Sequence, residues 1–187
     1  MPNDNHKQII KEALSSFPVF ATHLWHFLRL PSPTPVQYQL ADYLQNGPNR
    51  RIIMAYRGCG KSFLTAGYVL WRLRKNPDTK VLVISAAQDR ADAFSVFCHD
   101  LLRNWFMVKD LFPSDTQRFS KVAFDVFGAK PDQSPSVRSS GIFGQITGSR
   151  ADLIVADDVE TPQSCETQLI RDKLRESIKE FDSVIKP

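Results

Sequence analysis

An α/β fold with a mainly parallel sheet flanked by helices is what the sequence predicts, on three observations. Short, continuous apolar runs, Ile52-Ile53-Met54-Ala55, Val81-Leu82-Val83-Ile84 and Leu153-Ile154-Val155-Ala156, alternate with long helical periodicities. Strands that are apolar on both faces are what a parallel sheet covered by helices requires. The first and last of these runs are followed by residues suited to ligand chemistry, Arg57-Gly58-Cys59-Gly60 and Asp157-Asp158. Ligands in such folds bind at the carboxyl ends of strands.

The elements follow in order. Ile9, Ile10, Ala13, Leu14 and Phe17 recur at helical spacing, so residues 8–28 read as helix with a break or kink at Pro18. Leu30-Pro31-Ser32-Pro33-Thr34-Pro35 cannot be helix interior and reads as an extended connection. A helix over 36–45 stops at Asn46-Gly47-Pro48, and the run 52–55 is a buried strand. An amphipathic helix covers 61–75, a strand 81–84 and a helix 88–106. Val122–Phe127 and Gly141–Ile146 are weaker strand candidates, and 153–156 is a strong one. Ile170, Leu174, Ile178, Phe181 and Ile185 lie on one face of a final helix. Phe94, Phe97, Trp105 and Phe106, assigned to the helix after 81–84, read as core packing rather than a base-stacking platform.

Composition excludes several classes. With 42% hydrophobic and 24% charged residues in 187, whole-chain disorder is excluded and a core can form without staples. No apolar run has the roughly 18 residues needed to span a bilayer, and Met1–Lys11 lacks a signal-peptide stretch. A soluble intracellular protein is the expectation. Cys59, Cys98 and Cys165 show no metal-type pairing and read as free thiols. His23 and His26 share a helical spacing, with no acidic or thiolate partner nearby in sequence to make a metal site. The net charge is +4, and residues 51–112 hold ten Lys/Arg against five Asp/Glu. On charge alone that reads as a solvated surface, with a polyanion face as the functional alternative.

The segment Ala55-Tyr56-Arg57-Gly58-Cys59-Gly60-Lys61-Ser62 follows an apolar run and opens a helix, the context a Walker A loop needs. Gly58 and Gly60 allow the backbone turns that point successive N–H groups at phosphate oxygens. The N-terminus of the following helix adds partial positive charge. Lys61 would reach the β- and γ-phosphates of ATP, and the Ser62 hydroxyl would ligate Mg²⁺. Ala55 stands where the strict pattern has its first glycine. The nucleotide-binding candidates are therefore Arg57, Gly58, Cys59, Gly60, Lys61, Ser62 and Phe63.

At the other motif, Asp157-Asp158-Val159-Glu160 closes an apolar strand in the Walker B manner. Asp157 would hold Mg²⁺ opposite Ser62. A second acid should polarise the attacking water. Asp158 is adjacent and Glu160 has the longer reach; Glu160 is slightly favoured, and the choice stays open.

Together the blocks A-Y-R-G-C-G-K-S, V-L-V-I-S-A-A-Q-D-R-A and G-S-R-A-D-L-I-V-A-D-D-V-E resemble the ATPase domain of tailed-bacteriophage terminase large subunits, closest to the DNA maturase B type of short-tailed phages. The resemblance covers roughly residues 30–187. It implies a P-loop NTPase of the ASCE, helicase-like type, with residues 1–35 a helical lead-in and 36–187 an ATPase domain incomplete at its C-terminus. It further implies a motor that hydrolyses ATP with Mg²⁺ to drive double-stranded DNA into a procapsid. Implied partners are the portal protein, a small terminase subunit and further copies in a ring. The implied location is the host cytoplasm, docked transiently at the portal vertex and on no membrane. A nuclease domain, expected in the family, is absent from these residues.

Lys61, Ser62 and Asp157 match the family's nucleotide and metal positions, and Arg57 matches an arginine placed inside the phosphate loop. There a guanidinium could offset charge developing on the γ-phosphoryl. Pro33-Thr34-Pro35-Val36-Gln37 is similar to the Q motif of helicase-like ATPases, which makes Gln37 the adenine-reading candidate. Ser85-Ala86-Ala87 falls where such motors contact DNA backbone or relay nucleotide state, and Arg90 and Arg150 are candidate DNA or neighbour contacts. Two other readings compete. One is a fragment of a DEAD-box-type helicase, against which the D-D-V-E run and Arg57 argue. The other is a non-catalytic nucleotide- or DNA-binding module from a split or decayed gene.

Overall fold

The computed structural model describes residues 4–146, 148–162 and 166–186. Cys165 lies outside them. In chain order the elements begin with α1 (Asp4–Ser15), α2 (Phe17–Phe27), α3 (Pro35–Asn46) and α4 (Lys61–Lys75). Then come β1 (Val81–Ser85), α5 (Gln88–Asn104), a 3₁₀ turn (Lys109–Leu111), β2 (Ala123–Phe124) and β3 (Val137–Gly141). The chain closes with β4 (Leu153–Asp157), α6 (Gln168–Lys179) and α7 (Phe181–Val184). This is a mixed α/β fold with one four-stranded sheet flanked by helices, in the order β2-β3-β1-β4. β1 pairs parallel with both β3 and β4, and β2 runs antiparallel to β3.

Period-two alternation explains how the sheet is buried. Val81 and Val83 of β1 face the large core shared with α1, α2, α4 and α5, whereas Leu82 and Ile84 face a smaller core with Ile142, Ala151, Leu174 and Val184. Both faces of β1 are covered, so its sequence is continuously apolar. In β4 the same alternation puts Leu153 and Val155 on the first face. Asp157 therefore emerges on that face too, at the carboxyl end, toward α4. Aromatic side chains fill the large core: Phe17, Phe20 and Trp105 are fully buried, with Phe20 edge-on to Trp105 at 4.8 Å.

Several elements differ from expectation, each for a physical reason. The first helix is two, because Ser16 takes an extended conformation and Pro18 occupies the first turn of α2, where its missing N–H costs nothing. The run Ile52–Ala55 is not a strand: it joins no sheet ladder among the described residues, although Ile53 shares a small cavity with Ala156 and Asp157 of β4. Only Ile53 packs against the core, and Ile52 and Met54 are 83% and 91% exposed. A strand conformation without a ladder leaves backbone groups to water. The central strand between 122 and 153 is Val137–Gly141 rather than Gly141–Ile146, which forms a turn. Its Val-Arg-Ser-Ser-Gly sequence hides the strand from hydropathy. The buried serines are tolerated because Ser139 Oγ donates to Asp92 Oδ1 at 2.6 Å and Ser140 Oγ to the Gly141 carbonyl at 3.1 Å. α5 ends at Asn104, so Trp105 and Phe106 follow the helix, Trp105 buried and Phe106 partly exposed. The last helix breaks at Glu180 into α6 and α7, and Ile185 instead bridges to Ala151. No helix among the described residues is long and apolar enough to cross a membrane.

Candidate phosphate-binding site

The glycine-rich loop leads directly into α4. Gly58 and Gly60 both have φ of +83°, in the left-handed region that other residues enter at a cost. Gly60 is constrained twice, because a Cβ there would lie 2.8 Å from the Trp25 ring. The loop is anchored from below by α3: Gln37 Nε2 donates to the Cys59 carbonyl at 2.9 Å. Gln37 Oε1 accepts from Thr34 N at 2.7 Å and from Thr34 Oγ1 at 3.2 Å. An amide has two donor hydrogens and two acceptor lone pairs. Gln37 thus retains one N–H for a further partner while holding the loop to the start of α3.

Lys61 opens α4 and its Nζ donates to the Ala55 carbonyl at 3.5 Å, folding back over the loop. The same Nζ lies 4.0 Å from Asp158 Oδ1. Ser62 acts on Asp157 in the direction that favours its carboxylate. Burial pushes the Asp157 carboxyl above the ordinary range and Asp158 adds to the shift, against the opposing pull of Lys61, Ser62 and Arg90. A half-buried carboxylate beside a hydroxyl and a second carboxylate offers hard oxygen donors, which fits Mg²⁺. Asp158 itself has φ of +46°, a left-handed backbone that an aspartate can adopt with modest strain.

Three cavities border Lys61. One of about 280 Å³ is lined by the loop itself, residues 56–63, with Asp158. An outer one, of about 480 Å³, is lined by Arg57, Lys61, Arg90, Asp158, Glu160 and Thr161, among others. The smallest, about 90 Å³, lies between Lys61, Leu64, Asp157 and Ile53. The structure therefore brings Arg57, Gly58, Gly60, Lys61, Ser62, Asp157, Asp158 and Glu160 to one corner of the sheet. Cys59 is buried beneath it, and Phe63 lines the loop cavity while its ring meets Trp25 and Phe97. Among the described residues no three His, Cys, Asp or Glu side chains form a metal-holding group. A larger cavity, about 720 Å³, sits at the amino ends of the strands. Its cations are largely spent inside the chain: Arg138 donates to Ser149 Oγ at 2.7 Å, and Lys186 pairs with Asp152 at 3.0 Å. Arg150 lines that cavity, so Arg90 and Arg150 lie at opposite ends of the sheet.

Three supporting residues were not among the site candidates read from the sequence. Trp25 underlies Gly60 from α2, a contact with no local signature. Thr34 was visible, because Thr34-Pro35-Val36-Gln37 is the spacing of a capping box. Tyr56, 66% exposed at the loop entrance, carried no signal beyond its position.

A left-handed glycine turn opening a helix, opposed by paired carboxylates at the carboxyl end of a parallel strand, defines an α/β protein with a candidate phosphate site. No family model matches the chain. The chain is homologous to the terminase large subunit of Enterobacteria phage T3, with 45% identity over 180 residues. The match covers 96% of this chain and 31% of that relative, so the chain spans about a third of the relative's length.

Proposed function

We propose that the chain is the ATPase part of a DNA-packaging terminase, a P-loop NTPase that binds ATP with Mg²⁺ and hydrolyses it to move double-stranded DNA. The observation that carries this reading is the convergence of Lys61, Ser62 and Asp157 where the left-handed Gly60 opens α4. The homology to a terminase large subunit supports it.

In this reading the loop backbone at 58–62 cradles the α- and β-phosphates, and Lys61 leaves the Ala55 carbonyl to reach the β- and γ-oxygens. Ser62 and Asp157 would hold Mg²⁺, which would supply positive charge to the phosphates. Bringing a cation to Asp157 relieves its repulsion with Asp158. Glu160 and Asp158 both line the outer cavity, but the Asp158 carboxylate already lies 4.0 Å from Lys61. That difference favours Glu160 as the acid that orients the attacking water and takes its proton, with Asp158 the alternative. Arg57, on the wall of the same cavity, offsets charge developing on the γ-phosphoryl. Gln37 offers its remaining N–H to the adenine edge while fixing the loop. Residues 1–35 form the helical lead-in and 36–187 the ATPase domain. DNA, the portal protein, a small terminase subunit and ring neighbours are the proposed partners, in the host cytoplasm at the portal vertex.

The test is calorimetric titration of ATP·Mg²⁺ into the chain and into Lys61→Ala. A loss on the order of a hundredfold is expected from removing a charge-assisted phosphate contact. Unchanged affinity would overturn the reading. Arg57→Ala should slow single-turnover hydrolysis far more than it weakens binding.

A further inference from the structure

A cation outside both motifs shares the corner. Arg90 projects from the first turn of α5, just beyond the carboxyl end of β1. Its backbone is firmly seated. Gln88 Oε1 accepts from Gly141 N at 3.1 Å, and Gln88 Nε2 donates to Asp92 Oδ1 at 2.8 Å. Asp92 in turn receives Ser139 Oγ at 2.6 Å. Gly141 admits α5 closely, since a Cβ there would lie 3.2 Å from Gln88 N. The helix start is thus clamped to the end of β3, while the Arg90 side chain is exposed. Its guanidinium has no hydrogen-bond or ion-pair partner among the described residues.

Which part of a nucleotide it would meet follows from the inner, loop-lined cavity and the outer one. Arg57, Lys61 and Asp158 line both. Gly58, Gly60 and Ser62 line only the inner one, and Arg90 and Glu160 only the outer one. Phosphates cradled by loop amides would occupy the inner cavity. A phosphoryl group projecting beyond them, toward Glu160, would enter the outer one. The Arg90 charge also acts on Asp157, which places it beside the metal corner rather than along the sheet face.

We infer that Arg90 binds the terminal phosphoryl of a nucleoside triphosphate and makes the site prefer triphosphate over diphosphate. This rests on the nucleotide-site reading above. A planar guanidinium with several donors suits the oxygens of a terminal phosphoryl. Because α5 is clamped to β3, the contact ties the phosphoryl directly to the sheet through Gln88 and Asp92. Arg90 also borders a further cavity of about 310 Å³, with Phe143, Ile170 and Lys173. Without the terminal phosphoryl, the side chain has that second place to go.

The experiment measures the affinities of ADP and of an imidodiphosphate analogue of ATP, both with Mg²⁺, in the intact chain and in Arg90→Ala, Arg90→Lys and Lys61→Ala. Binding of a 30-base-pair duplex is followed in parallel, and thermal melts check folding. Arg90→Ala should keep ADP affinity within about twofold and lose about tenfold for the analogue, with Arg90→Lys intermediate. An unchanged ratio in Arg90→Ala, with Lys61→Ala losing both ligands, overturns the inference and leaves the nucleotide site standing. Equal loss of both ligands in folded Arg90→Ala overturns the terminal-phosphoryl role as well. Loss of duplex affinity with an unchanged nucleotide ratio makes Arg90 a DNA contact instead. If the unmodified chain binds neither nucleotide, the underlying reading fails along with the inference.

Discussion

Lys61 Nζ stands 4.0 Å from Asp158 Oδ1, so the lysine that opens α4 has a counter-charge inside the site. The Asp158 side chain is largely exposed, and such pairs are worth about 0.2–1 kcal/mol. An anion that takes Lys61 must displace that interaction. Asp158→Asn should therefore tighten Mg²⁺-free ADP binding by roughly two- to fivefold, measured by calorimetry at low salt. Weaker binding would show that Asp158 positions the lysine rather than competing for it.

Gly58 and Gly60 share a φ of +83° but differ in surroundings. A Cβ on Gly58 meets open space, whereas one on Gly60 meets the Trp25 ring at 2.8 Å. Gly58→Ala should cost about 1–2 kcal/mol, the backbone penalty alone. Gly60→Ala should cost more, since overpacking adds about 1–3 kcal/mol. Urea unfolding of the two variants measures the difference, and Trp25 fluorescence should shift only in Gly60→Ala. Equal losses would mean that the ring moves aside freely.

Asp157 illustrates the sign of a raised carboxyl. The folded state holds the proton to higher pH than the unfolded state, so stability falls as pH rises from the unfolded value of 3.8 through the raised folded value. Above that window the full cost is carried. Asp157→Asn should raise the melting temperature of the nucleotide-free chain at pH 7 while removing Mg²⁺-dependent activity. A lower melting temperature would mean that the attraction of Lys61 and Ser62 outweighs the burial and the Asp158 repulsion.

His99 works in the opposite direction. It is buried on α5, 4.1 Å from Phe119 and 4.7 Å from Phe124, and its Nε2 has no hydrogen-bond partner among the described residues. Burial holds its pKa below 6.5, Arg103 adds to the effect, and Asp100 opposes it. Below 6.5 the unfolded chain gains a proton that the folded one refuses, so stability is lost as pH falls through that range. Melting curves between pH 5 and 7 should show the loss, and His99→Phe should flatten it.

How much of this was legible in the sequence depended on range. The helix Lys61–Lys75 was readable to the residue, because its glycine start and helical periodicity are local. The runs at 81–84 and 153–156 declared themselves as strands because both faces are buried. Val137–Gly141 did not, since its burial relies on Asp92 and a neighbouring carbonyl to satisfy two serines. Ile52–Ala55 misled for the converse reason: its composition suits a central strand, yet a strand also needs a neighbour. That Lys61, Ser62 and Asp157 would stand at one corner of the sheet was legible from two short motifs. Trp25 beneath Gly60, the left-handed Asp158 and the seating of Arg90 were not, because each depends on segments distant in sequence or on backbone geometry.

The edge position of β4 carries a practical consequence. Its outer backbone groups meet no strand among the described residues, and the apolar Ile52 and Met54 stand in water on an unladdered stretch. Neither stretch contains the lysine or proline that blunts natural sheet edges. An unpaired edge is a template for a strand of another copy, so backbone hydrogen bonds should act on association alongside the net charge of +4. Added salt, which screens that charge, should promote clustering rather than suppress it.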